Sequence, residues 1–194
     1  MQYRILRKSN LNVSMIGIGT WQFGGEWGRS YTQKEADEIL SVGHELGINL
    51  VDTAECYGDH VSERLVGAAI KKQRPDWIVA SKFGHKFHSN YTRTDKWDVE
   101  DVRIQLEDSL RALQTDHIDL YQFHSGADAA FDQPELWEML NNQVQAGKIR
   151  HLGLSVGANT NTFQVSKAAQ YGISAIQIVY NRLDQAPEET TFPI

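Results

Sequence analysis

"IGIGTWQFGGEWG", residues 16–28, decides between two ways of folding this chain. A short apolar run passes into a glycine-rich turn, which opens a dinucleotide-binding sheet when it reads G-x-G-x-x-G between strand and helix. Here Trp21 and Phe23 stand where a tight phosphate turn needs small residues. The signature is absent, so an open doubly wound sheet loses its main support. A β/α barrel is the better reading.

Five more runs outward from this stretch read as strands: "INLVD" from Ile48, "WIVAS" from Trp77, "IDLYQF" from Ile118, "HLGLS" from His151 and "AIQIV" from Ala175. They are nearly continuous in apolar character, as strands covered on both faces are. Helical patterns separate them. Thr32 and Glu35 are spaced as a capping box ahead of Ala36, Ile39, Leu40 and Leu46. Asp98 precedes a stripe of Val99, Val102, Leu106, Leu110 and Leu113, and Pro134 suits the first turn of a third helix. Gly47, Gly147 and Gly172 are placed as the glycines that end helices before a strand. Strand starts fall 24 to 41 residues apart, the scale of βαβ units with right-handed crossovers. The prediction is an α/β fold of the (β/α)8 TIM-barrel type, with about the first six βα units present, in a single domain over residues 1–194. A small hairpin around Ser9 and Asn10 is expected before the first strand, and a polar loop from Gly84.

Composition narrows the function classes. Lys+Arg 19 against Asp+Glu 25 gives a net charge of −6, with no basic footprint for nucleic acid or anionic lipid. The hydrophobic fraction of 41% is ordinary for a globular protein, and no run approaches the length of a membrane helix. Cys56 is the single cysteine, which excludes a disulfide scaffold. "MQYRILRKSN" is followed by no apolar signal region, so a reducing, cytoplasmic location is expected.

In a β/α barrel the chemistry gathers where strands end. The predicted ends carry Asp52, with Tyr57 five residues on, then Lys82, His124, Ser155 and Gln177. A lysine at the end of an apolar strand needs a partner, because a buried ammonium is costly alone. Asp52 is the natural one, and a purely structural ion pair is the plain alternative. Neighbouring strands would bring Asp52, Tyr57, Lys82 and His124 into one mouth. A free phenol is a poor acid at neutral pH. A nearby ammonium favours the tyrosinate and would lower its pKa, and an imidazole can donate to the same substrate oxygen. Such a set suits protonation of a carbonyl oxygen becoming an alcohol. A thiol-protease reading of Cys56 with His124 leaves Asp52 and Lys82 unexplained. His85 and His88 have metal-like spacing but no third ligand nearby, so no metal site is predicted.

"GIGTWQFGG", "DTAECYG", "ASKFG", "LQTDHIDLYQFH", "AGKIRHLGLS" and "IQIVYN" together resemble, in order and spacing, the aldo-keto reductases, closest to the bacterial and potassium-channel-β-like branch. The resemblance covers residues 3 to 192. It implies NADPH-dependent reduction of aldehydes or ketones by direct hydride transfer, without a metal. Tyr57 would be the proton donor, Asp52 and Lys82 would tune it, and His124 would orient the carbonyl. Thr20 and Trp21 would line the nicotinamide and substrate pocket, and Ser155 and Gln177 would hold the carboxamide of NADP(H). Tyr57 and Lys82, 25 positions apart, do not fit the Tyr–x3–Lys pattern of short-chain dehydrogenases.

Two departures from the family pattern stand out. Val156 takes the place of an asparagine common after the fifth-strand serine. The chain also reaches Ile194 after six predicted strands, whereas the family barrel has eight units. In the family the later segments supply a ring stacked on nicotinamide and the basic grip on the 2′-phosphate. The expected arc has two unpaired edges and calls for an oligomer or a further C-terminal segment to complete it. A non-catalytic regulatory or scaffold subunit and an inactive truncated fragment are the competing readings. Relatives of the scaffold type lack the histidine that stands here as His124.

Overall fold

A computed structural model describes residues 1–159 and 161–194. The N-terminal hairpin forms as expected, β1 (Tyr3–Leu6) pairing antiparallel with β2 (Leu11–Ser14), and Asn10 adopts the left-handed conformation in the turn. Then come β3 (Ile18–Gly19), α1 (Gln33–Glu45), β4 (Leu50–Asp52), α2 (Val61–Ile70) and β5 (Ile78–Phe83). A second hairpin, β6 (His85–Ser89) and β7 (Thr92–Asp95), precedes α3 (Val99–Leu113) and β8 (Ile118–His124). The chain continues through α4 (Asp128–Phe131), α5 (Pro134–Gln145), β9 (Ile149–Ser155), α6 (Thr162–Lys167), β10 (Ile173–Gln177) and α7 (Pro187–Thr190).

All six predicted strands join one parallel sheet in the order β10-β9-β8-β5-β4-β3. Apart from β5 and β8, which flank the second hairpin and α3, neighbours in the sheet are successive parallel strands separated by helix. That is the arc of a β/α barrel rather than a doubly wound sheet, whose order reverses at a switch point. β3 and β10 are its two edges. The first strand is shorter than its apolar run: Ile16 lies outside it and is exposed.

Local chemistry accounts for the helix boundaries. Thr32 and Glu35 make the reciprocal capping box ahead of α1, and Pro134 opens α5. Gly47 and Gly147 take positive φ just beyond α1 and α5. Gly172 also has positive φ but does not end a helix, because α6 stops at Lys167 and single turns carry the chain to β10. Asp98 is an N-cap whose side chain makes no capping bond. The stretch from Gly84 is a β-hairpin, not a loop.

The core lies between sheet and helices. Phe83, Tyr121 and Phe123 project outward from β5 and β8 against Trp97, Phe131 and Trp137. Alternation along a strand then turns Lys82, Gln122 and His124 to the other face, the barrel interior. Register completes the placement: Lys82 pairs with Gln122, His124 with Ser155, and Ser155 with Gln177.

Candidate active site

The strand ends do converge. Lys82, only 2% exposed, donates from Nζ to Asp52 Oδ2 at 2.8 Å, to the Thr53 carbonyl at 2.7 Å and to the Tyr57 hydroxyl at 3.2 Å. Its three donors are therefore matched by three acceptors, which is what makes a buried ammonium tolerable. Burial works against its charge, but Asp52 and Tyr57 prevail and raise its pKa. Lys82 is a fixed cation.

Tyr57 sits in the loop after β4, and two glycines set its position. Gly58 has positive φ, and a Cβ there would come within 2.3 Å of the Gly24 carbonyl. The loop can therefore lie directly on the turn that follows β3, which brings Trp21 over Tyr57 with ring centroids 6.1 Å apart and nearly parallel. Asp59 and His60 share the left-handed conformation, an unusual run for non-glycine residues. His60 Nδ1 is held 2.5 Å from buried Glu63, whose other oxygen accepts from Ser81. These contacts anchor the strained turn.

The electrostatics of Tyr57 run opposite to the sequence-based expectation. Burial raises the phenol pKa, and the Lys82 charge opposes the shift without cancelling it. The hydroxyl is a protonated phenol at neutral pH, and its own proton has no acceptor among the described residues. His124 stands edge-on to Tyr57 at 6.1 Å. Burial, then Lys82, His85 and Arg93, hold its pKa well below the usual imidazole range, so the ring is neutral.

Two cavities meet at Tyr57 and His124. One, of about 420 Å³, is lined by Trp21, Tyr57, His85, Arg93 and His124. The other, of about 320 Å³, is lined by Tyr57, Lys82, His124, Ser155, Val156 and Gln177. A wider groove of about 680 Å³ on the outer side of α3, beside Arg74, Glu107 and Lys148, contains no comparable cluster.

Of the remaining sequence candidates, Trp21, Ser155 and Gln177 border these cavities and Thr20 does not. The Thr20 hydroxyl is buried, donating to the Asp52 carbonyl at 2.9 Å and accepting from Ser62 at 2.7 Å. It ties β3 to β4 beneath the site. Gln177 is exposed and reaches Asp52 Oδ1 and Gln122 only at 3.4 Å.

Glu26, Arg93 and Gln122 escaped the sequence reading. The β6–β7 hairpin walls the first cavity: His85 Nε2 donates to the His124 carbonyl at 2.7 Å, and Arg93 Nη2 bonds both oxygens of buried Glu26 at 2.6 Å. Gln122 was detectable by stepping two residues back from His124 along a strand. The Glu26–Arg93 pair, 67 residues apart, left no sequence signal.

The family of this site follows from comparison with known proteins. Residues 15–194 match the aldo/keto reductase family, and the chain belongs to it. The aldo-keto reductase YhdN of Bacillus subtilis is 34% identical over all of this chain. The NADH-specific methylglyoxal reductase of Escherichia coli is 31% identical over 97% of it. These relatives are longer: the chain spans 58% of the first and 62% of the second. Among solved structures, the holo form of aldo-keto reductase AKR11C1 from Bacillus halodurans superposes with a TM-score of 0.85 at 34% identity, over 97% of this chain and 61% of that one. An aldo-keto reductase from Klebsiella pneumoniae in complex with NADPH gives 0.70 at 26% identity, over 93% and 59%.

Proposed function

We propose that this chain carries the carbonyl-reducing site of an NADPH-dependent oxidoreductase, with Tyr57 as proton donor. The observation that carries this reading is the Tyr57 hydroxyl 3.2 Å from the fixed Lys82 ammonium, with a free proton, where two cavities meet. A structural ion pair alone has no need of such a phenol.

The second cavity suits a nicotinamide. The Ser155 hydroxyl has no hydrogen-bond partner among the described residues, and the Gln177 amide has only long contacts, so both are available to a carboxamide. Val156 gives the same wall an apolar patch. Ser155 and Gln177 would hold the carboxamide of a cofactor there, whose chemistry would be hydride supply to a carbonyl carbon. The neutral His124 ring borders both cavities and can donate a hydrogen bond to the carbonyl oxygen. As negative charge grows on that oxygen, Tyr57 gives up its proton, since an alkoxide is a far stronger base than a phenolate. Lys82 then stabilises the tyrosinate that remains. The raised phenol pKa keeps the proton in place until charge develops, and the ammonium acts on the product of transfer. Asp52 keeps the ammonium charged and aimed.

NADPH is the preferred dinucleotide, by the resemblance set out above and the NADPH complex of the Klebsiella protein. The Escherichia coli relative is described as NADH-specific, so both belong in the test. Oxidation of NADPH and NADH is followed against small aldehydes and ketones. Carbonyl-dependent oxidation, faster with NADPH, is expected. No turnover with any carbonyl, together with firm attachment to a partner protein, would favour the scaffold reading.

A further inference from the structure

Three side chains with metal-binding atoms converge at His124, and the reductase reading uses only His124; Glu55 also lines a separate cavity of about 220 Å³ with His60 and His85. A Glu55 carboxylate oxygen, the Cys56 sulfur and a His124 ring nitrogen all lie within 4.8 Å of one another. Cys56 Sγ is 3.7 Å from His124 Nδ1. Zinc bonds of about 2.3 Å to sulfur and about 2.0 Å to imidazole, opened to a tetrahedral angle, set those two atoms about 3.5 Å apart. The observed spacing needs almost no rearrangement.

Glu55 supplies the second, independent observation. Its side chain is 2% exposed, and Oε1 accepts from the His85 amide at 3.0 Å. Oε2 is buried with no partner among the described residues. A buried carboxyl oxygen left this way carries an uncompensated desolvation cost and calls for an ion, a water or a ligand.

We propose that Glu55, Cys56 and His124 form a binding site for a thiophilic divalent cation, Zn²⁺ or Cd²⁺. Carboxylate, thiolate and imidazole are a donor set for such ions, and water completes the coordination.

Charge balance removes the main objection. Lys82 from β5 and Arg93 from β7 would repel an added dication, with His85, His60, Glu63 and Tyr121 also facing the trio. Carboxylate and thiolate bind metal in deprotonated form, so binding releases protons to solvent, which offsets the incoming charge beside Lys82 and Arg93.

The test titrates the chain with Cd²⁺ and follows the sulfur-to-cadmium charge-transfer absorption, then displaces Cd²⁺ with Zn²⁺. A band saturating at one equivalent is expected, lost in Cys56→Ser. Glu55→Gln should weaken Cd²⁺ binding at least about tenfold, as loss of a ligand or its support does. Cys56→Ala stands in should the serine variant fail to fold, as judged by circular dichroism. Absence of the band, or equal Cd²⁺ affinity in Glu55→Gln and the parent, would overturn the site. Neither outcome involves cofactor or carbonyl, so the reductase reading is tested separately.

Discussion

Two buried ion pairs lie at opposite ends of the same strands, and they differ in what they leave free. Near the strand starts, Asp119 on β8 is 1% exposed; its Oδ2 accepts from Arg74 Nη2 at 2.7 Å and from the Val79 amide at 3.0 Å. Arg150 and His117 attend its other oxygen at 3.2 and 3.7 Å. Every guanidinium nitrogen of Arg74 also has an acceptor. The cluster is closed. At the strand ends, Lys82 is equally well matched, but its partners face the cavities: the Asp52 side chain keeps 23% exposure and the Tyr57 proton is uncommitted. A buried charge pair is therefore not itself the mark of a site. The mark is a fixed charge beside a polar group with capacity to spare.

That contrast can be broken by exchanging the lysine and the arginine for methionine. Lys82→Met should lower turnover by about 10²–10⁴, the usual worth of acid catalysis. Its cost in stability should be the smaller of the two, because Asp52 can turn to water. Arg74→Met takes from Asp119 its shortest cationic contact while Arg150 and the Val79 amide remain, and should cost about 1.5–3 kcal/mol in urea unfolding. Equal stability losses in the two variants would erase the distinction drawn here.

Glu55 sharpens the comparison, as a buried acid near the mouth that forms no ion pair among the described residues. Burial pushes its pKa up from 4.5 to about 8. The folded value lies above the unfolded one, so the stability it contributes is complete below pH 4.5 and drains away as pH rises to about 8. A slope approaching about 1.4 kcal/mol per pH unit should flatten in Glu55→Gln, read from unfolding midpoints across that window. An unchanged slope would assign the pH dependence elsewhere. The smallest effect is far from both clusters: Thr32→Ala removes one capping hydroxyl from α1 and should cost about 1 kcal/mol, with turnover unchanged.

The strands were legible because burial on both faces writes uninterrupted apolar runs, and the polar residues ending those runs are conspicuous against them. Asp52, Lys82 and His124 stand out in this way, and Tyr57 by its place just after Asp52; the structure brings Asp52, Lys82 and Tyr57 into hydrogen-bond contact and sets His124 beside Tyr57. The β6–β7 hairpin was not, because "HKFHS" and "TRTD" are largely exposed and carry neither apolar run nor clean alternation. Thr20 was misplaced for a related reason: its hydroxyl turns toward Ser62, 42 residues later, and only the packing of α2 on the turn after β3 reveals it. The direction of the Tyr57 shift was missed because the neighbouring ammonium can be guessed from sequence, whereas the depth of burial cannot.

The central claim is that the Tyr57 proton goes to the nascent alkoxide under the influence of Lys82. Single-turnover NADPH oxidation by Tyr57→Phe, set beside its NADPH affinity, tests it most directly. The account predicts hydride transfer slowed by about 10²–10⁴ with cofactor affinity nearly unchanged, because the phenol acts in the transition state. Undiminished transfer in that variant would contradict it.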